Sequence, residues 1–295
     1  MRIKISALTD VGSERDNNED AYIFCPDLSK QDWSCCELSS YIPLGEYGAV
    51  LVVADGMGGA NAGEVASSMA THVVRDFFSS DHVASVLESH ALSIADFMVS
   101  CISKANEAIN THANENPDTL GMGTTIVVSW LLQDQAHIAW CGDSRCYLFN
   151  SSAGLKQLTK DHSLVQELVD KGEITEEEAL VHPDSNIITR GLGDIDTQAV
   201  ADVVSVPIAA GDTLLLCSDG LCGYCTNSTI QKVLEQGQRD VTRCRDALLK
   251  CALDAGGYDN ICIALASVIG DNEVPLSDPS PCRRFVAWLK KSIFR

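Results

Sequence analysis

Ala49-Val50-Leu51-Val52-Val53-Ala54-Asp55-Gly56 is a run of apolar residues that stops abruptly at a carboxylate and a glycine. Continuous apolar runs rich in β-branched residues suit a strand buried on both faces. The glycine lets the backbone turn and leaves room for its carbonyl to face a ligand. Thr213–Ser218 repeats the arrangement and leads into Asp219-Gly220. Asp259 stands just before another apolar run, Asn260–Val268, and Glu19-Asp20 follows Arg15 and Asn18 near the start. A lone Asp-Gly pair is ordinary turn chemistry. Several acids placed at strand ends could converge on one spot. Crowded like charges are costly unless a cation binds them. Such an oxygen-rich donor set suits Mg²⁺ or Mn²⁺ rather than zinc or copper.

Outward from these runs, Ile3–Leu8 reads as a first strand and Thr9–Ser13 as a turn. Residues 27–47, polar and broken by proline and glycine, read as a loop or insertion. Val65, Met69, Val73 and Phe77 fall at steps of four, which predicts a helix from Ala62 to about Phe78 with Asn61 as its N-cap. A second helical region covers roughly Val83–Asn114, followed by strands near Thr124–Leu132, Gln135–Trp140 and Arg145–Phe149. Residues 161–193 read as a helical flap. One short helix stops at Gly172, and a second starts at the capping box Thr175–Glu178 and ends at His182-Pro183. Strands near Ala199–Val206 and Thr213–Cys217 follow. Helices over about Asn227–Glu235 and Asp240–Asp254 precede the final strand. Strand clusters separated by helix pairs argue for an α+β fold with mostly antiparallel sheets. One domain over residues 1–270 is expected, then a proline-containing linker and a basic, aromatic tail over 271–295.

The net charge is −20, from 41 acidic against 21 basic residues, which argues against nucleic acid as a partner. Met1–Asp10 shows no signal-peptide pattern, so the cytoplasm is the default location, where the 13 cysteines should mostly be reduced. Cys222 and Cys225 form a CxxC with no second pair at matching spacing, so structural zinc is not expected.

Taken in order, a set of short motifs resembles the metal-dependent, type 2C, protein serine/threonine phosphatases, in a bacterial-like form. They are Arg15-Asp16-Asn17-Asn18-Glu19-Asp20, Asp55-Gly56-Met57-Gly58-Gly59, Gly63–Ser67, Gly123-Thr124-Thr125 and Gly142-Asp143-Ser144-Arg145. Leu158–Ser163, His182-Pro183 with Asn186, Cys217–Leu221 and Gly257–Asn260 complete the set. The resemblance spans about residues 5–268 and implies a four-layer α-β-β-α sandwich of two mainly antiparallel sheets flanked by helices. It implies that Asp55 bridges two metal ions, Mg²⁺ or Mn²⁺. Asp219 and Asp259 would hold one ion, and Glu19 with the Gly56 carbonyl the other. Asp20 would orient metal-bound water, Arg15 would grip the substrate phosphate in a bidentate fork, and Asp143 with Asp219 would hold a third metal.

The chemistry so implied is hydrolysis of phosphoserine and phosphothreonine in proteins by a metal-activated water, without a phosphoenzyme. The cysteines are then not nucleophiles. Met57 and Ala60 occupy positions where members of that family carry a histidine, so the general acid is open: His162 and His182 are the titratable candidates, and a metal-bound water is the alternative proton source. Phosphorylated proteins are the expected substrates, a serine/threonine kinase the expected opposing partner, and a monomer the expected state. A pseudophosphatase that binds phosphoproteins and a hydrolase of small phosphate esters are the alternatives. The tail Arg283–Arg295, with Phe285, Trp288 and Phe294 among basic residues, is expected to pack on the acidic body; contact with an anionic membrane is the other reading.

Overall fold

The computed structural model describes residues 1–273, apart from 35–36, 59–61, 90–91, 180–181 and 194–198. The Asn61 cap, the Cys35-Cys36 pair and the tail from 274 onward lie outside the described residues.

The chain begins with strands β1 (Arg2–Asp10), β2 (Asp20–Cys25), β3 (Ile42–Pro43) and β4 (Ala49–Met57). Three helices follow: α1 (Ala62–Phe77), α2 (Ser80–Ser89) and α3 (Ile94–Glu115). Next come β5 (Gly123–Thr124), β6 (Ile126–Leu132), β7 (Gln135–Cys141), β8 (Arg145–Asn150) and β9 (Gly154–Gln157). The flap carries α4 (Leu164–Asp170) and α5 (Glu176–Ala179). The last part holds β10 (Asp202–Pro207), β11 (Thr213–Cys217), α6 (Asp219–Cys222), α7 (Asn227–Gly237), α8 (Val241–Asp254) and β12 (Ile261–Ile269).

One sheet has the order β3-β1-β12-β11-β8-β9 and the other β10-β7-β6-β4-β2, with β5 pairing β4. Each recorded pairing is antiparallel. Side chains alternate across a strand, and β4 uses both of its faces. Val50, Val52 and Ala54 pack under α1 and α3 with Ala66, Ala70, Val74, Phe97 and Ile102. Ala49, Leu51 and Val53 meet Ile3, Ile5, Leu214 and Leu216 of the opposing sheet. The other face of that sheet, through Leu215, Ile263 and Leu265, packs on Leu234 of α7 and Leu248 of α8. The architecture is therefore the expected α-β-β-α sandwich, and the unbroken apolar runs exist because their strands lie between two layers.

Several boundaries differ from the sequence expectation. The single helical region over Val83–Asn114 is two helices, because the Ser93 hydroxyl accepts from the Asp96 amide and starts α3 afresh. Strand β1 runs on through Thr9-Asp10, paired to Cys262 and Ile261, so the turn begins later than expected. The strand expected from Ala199 starts at Asp202. Strand β2, the two-residue β3 inside the stretch read as a loop, the edge strand β9 and the one-turn helix α6 were not foreseen. In the flap, the Thr175–Glu178 capping box is present: the Glu178 side chain accepts from the Thr175 amide, and the Thr175 hydroxyl accepts from the Glu178 amide.

Candidate metal centre

Strands β2 and β4 place Asp20 directly opposite Asp55. Both fall on the face shared by Phe24, Leu51 and Val53, so the two carboxyls stand at the end of the core between the sheets. Like charges facing each other across a strand pair repel. Burial pushes the Asp20 carboxyl up to about 8, and the charges of Asp219 and Asp259 push the same way. Asp55 is raised well above the usual carboxylate range, by burial first and then by Asp20, Asp219, Asp143 and Asp259. Its nearest strand partner is Asp20, directly opposite, and the charge of Asp219 bears on both carboxyls. Burial raises Asp143 to about 8 and Asp219 to about 6. Asp55, Asp143, Asp219 and Asp259 are nonetheless only half-buried, so solvent and solutes reach them.

The acids are held by polar residues to which sequence reasoning gave no role. The Ser218 hydroxyl donates to Asp20 Oδ2 at 2.7 Å and accepts from the Cys262 amide at 2.9 Å, which fastens one sheet to the other beside Asp219. The Asn260 side-chain oxygen accepts from the Glu19 amide at 2.8 Å, and its nitrogen donates to the carbonyls of Val11 and Asn17. That clamp fixes the loop carrying Arg15 and Glu19 against the start of β12. The Thr124 hydroxyl donates to the Asp55 carbonyl at 2.8 Å, and the Asp55 amide donates to the Thr125 hydroxyl at 3.2 Å. Gly56 donates its amide to the Glu19 carbonyl, and any Cβ there would collide with the carbonyls of Glu19 and Gly63. Asn260 and Thr125 stand inside the quoted motifs, and that was the only signal of them.

Arg15, expected to grip phosphate, here donates to Asp259 Oδ2 at 2.7 Å. Its side chain remains 53% exposed, so the guanidinium can be reached from outside. His162 is buried: Nδ1 accepts from the Gly142 amide at 3.1 Å, and Nε2 lies 3.1 Å from Asp202. The ring therefore braces the turn that carries Asp143. Burial lowers its pKa. Arg145 grips Asp161 through its Nε and terminal nitrogen at 2.6–3.0 Å and anchors the base of the flap. His182 lies on the flap, where its Nδ1 accepts from the Asp184 amide at 3.2 Å.

Among the described residues, no three acidic, histidine or cysteine side chains are already closed around one point as a bound metal would hold them. The donors nevertheless fit a hard divalent cation. Asp20 Oδ1 is buried without a hydrogen-bond partner, and a buried carboxylate oxygen normally has one. The converging groups are oxygen donors, and the nearest cation, Arg15, is already drawn onto Asp259.

Comparison with known proteins agrees with this geometry. Residues 39–255 match the protein phosphatase 2C family. The serine/threonine phosphatase stp of Listeria monocytogenes is 39% identical over 216 residues, 73% of this chain and 83% of that protein. Protein phosphatase PhpP of Streptococcus pneumoniae is 34% identical over 268 residues, 90% of this chain and 98% of that protein. A solved catalytic domain of the serine/threonine protein phosphatase PstP, in complex with two manganese ions, superposes with a TM-score of 0.71 at 29% identity, covering 91% of this chain and 99% of that one. An antiparallel double-sheet scaffold, acids gathered at its edge and relatives of this kind over most of the length lead to one conclusion: the chain belongs to the protein phosphatase 2C family and is a protein serine/threonine phosphatase.

Proposed function

We propose that Asp55, Asp219, Asp259, Glu19 and the Gly56 carbonyl would hold divalent cations, Mg²⁺ or Mn²⁺, and that Asp143 beside Asp219 could take a further one. The observation that carries this reading is Asp20 directly opposite Asp55 across β2 and β4, with the charges of Asp219 and Asp259 acting on both and a buried Asp20 oxygen that lacks a partner. Divalent cations held there would supply an acidic water as nucleophile and positive charge for the phosphoryl oxygens. Asp20 Oδ1, buried without a partner, would be the acceptor that orients such a water. Arg15 exchanges Asp259 for the substrate phosphate, where its fork neutralises charge that grows in the transition state. The leaving serine or threonine oxygen needs a proton. Of the two histidines, His182 on the flap is the candidate, because the His162 ring is engaged by Gly142 and Asp202.

The cysteines are ill suited to a covalent route. Burial pushes Cys25 and Cys225 up to about 11 and Cys141 and Cys244 up to about 12, so their thiolates are scarce at neutral pH. The ten described cysteines are all free, which accords with a reducing, cytoplasmic setting. In this reading the enzyme acts as a monomer on proteins phosphorylated by a serine/threonine kinase.

The test is phosphate release from a phosphothreonine peptide with EDTA, Mg²⁺ or Mn²⁺, for the wild type and Asp219→Asn. Release is expected only with metal. The variant should lose more than the roughly 10–100-fold that removal of an outer-shell partner costs. Equal rates in the two proteins would sink the assignment.

A further inference from the structure

Gly142-Asp143-Ser144 carries the chain from the end of β7 in one sheet to the start of β8 in the other. The crossing passes close enough to Asp55 for the Asp143 charge to act on it. Thr125, just before β6, touches this crossing at two places. Its hydroxyl lies 2.7 Å from the Ser144 hydroxyl, and both side chains are buried. Gly142 has a φ of +116°, and any Cβ there would collide with Cβ and the methyl group of Thr125. The methyl of Thr125 thus faces Gly142 while its hydroxyl faces Ser144.

Thr125 also fixes Asp55. Its amide donates to the Asp55 carbonyl at 2.8 Å, and its hydroxyl accepts from the Asp55 amide at 3.2 Å. A hydroxyl has two lone pairs and one proton, so it can serve Asp55 and Ser144 together. One threonine therefore grips the strand end that presents Asp55 and, through Ser144, the crossing that presents Asp143. On its other side the crossing is held by His162. The Gly142 amide donates to Nδ1 of that ring, and the His162 amide donates to the Gly142 carbonyl at 3.0 Å. Asp143 stands between these two fixed points. The bonds use hydroxyls, an imidazole and backbone groups, and no carboxylate, so cations that take the acids do not compete for them. A ligand must be held to within about 0.5 Å to serve a metal, and the groups behind the ligands supply that precision.

We propose that Ser144 and Thr125 are positioning residues for the cation that Asp143 holds: the bond between their hydroxyls sets Asp143 against Asp55, and with it the affinity for that cation. This rests on the reading that Asp143 takes a cation.

The test is Mn²⁺ binding to the metal-stripped full chain, followed by isothermal calorimetry, for the wild type, Ser144→Ala, Thr125→Ser and Asp143→Asn. Circular dichroism melts of the same samples check that each variant folds. Asp143→Asn identifies the Mn²⁺ that depends on Asp143. Ser144→Ala breaks the link and leaves Thr125 bonded to the Asp55 amide. Thr125→Ser keeps the hydroxyl and drops only the methyl. The Asp143-dependent ion is expected to bind Ser144→Ala about tenfold more weakly, with the remaining Mn²⁺ binding unchanged. Thr125→Ser should bind it as the wild type does. Wild-type binding of every ion by Ser144→Ala overturns the proposal. So does an equal loss for all ions, because the link is then a general prop of the fold. A loss in Thr125→Ser as large as that in Ser144→Ala overturns it too, because the contact with Gly142 then carries the effect. If Asp143→Asn binds Mn²⁺ as the wild type does, the assignment of a cation to Asp143 fails and this proposal falls with it.

Discussion

Ser218 shows how one side chain can hold a site together. Its hydroxyl satisfies a carboxylate on β2 and an amide on β12, which belong to different sheets. Ser218→Ala removes both bonds and leaves two buried groups without partners. The expected cost is about 1–3 kcal/mol for each group so stranded. Chemical unfolding should show a lowered midpoint, with reduced phosphate release because Asp20 loses its anchor. A variant as stable and as active as the wild type would show that Ser218 is dispensable. Asp55, Asp219 and Asp259 were legible in the sequence, because each stands where an apolar run ends or begins, whereas Glu19 and Asp20 were marked only by the motif they share with Arg15. Ser218 and Asn260 end and begin two of the same runs, but nothing there told what their side chains hold. Their partners lie 198 and 241 residues away along the chain, and only the fold brings them near.

Among the elements, the flap and the β7–β10 edge lend themselves to separate tests. Thr175 and Glu178 cap α5 reciprocally in an exposed part of the flap. Thr175→Ala should cost that helix about 1 kcal/mol. Hydrogen exchange is expected to quicken in residues 173–179 while the global unfolding midpoint stays put, since none of the described residues of the flap helices belongs to a core cluster. At the sheet edge, His137 pairs with Ser205 across β7 and β10, and its Nδ1 lies 2.8 Å from the serine hydroxyl. Burial lowers its pKa, so the folded protein keeps the ring neutral where the unfolded chain would protonate it. The unfolded state then binds more protons below about pH 6.5, and stability falls as pH drops through that value. His137→Gln should flatten this acid-side decline in the urea midpoint; an unchanged slope would assign it to other groups. Elements differed in legibility for a related reason. Strands β4 and β11 announce themselves because both faces are covered. Strand β9 lies at a sheet edge with no fully buried residue, so no apolar run marks it. The break between α2 and α3 depends on one serine cap, which a helical period does not register.

The whole molecule is closed by its first and last strands. Strand β12 lies between β1 and β11, and the N-terminal amine meets Asp271 at 2.7 Å. A chain that stops after residue 256 lacks β12 and Asp259. It is expected to lose both cores that β12 joins and to show no cooperative transition by near-ultraviolet circular dichroism. A cooperative melt would mean that one half of the sandwich folds alone. The pairing also dictates an order of events during synthesis. While the ribosome extends the chain, β1 emerges long before β12, and its edge facing β12 stays open until residues 261–269 follow. Glu19 and Asp20 must wait for Asp219 and Asp259, so no nascent chain can dephosphorylate anything before its closing strand is clear of the exit tunnel.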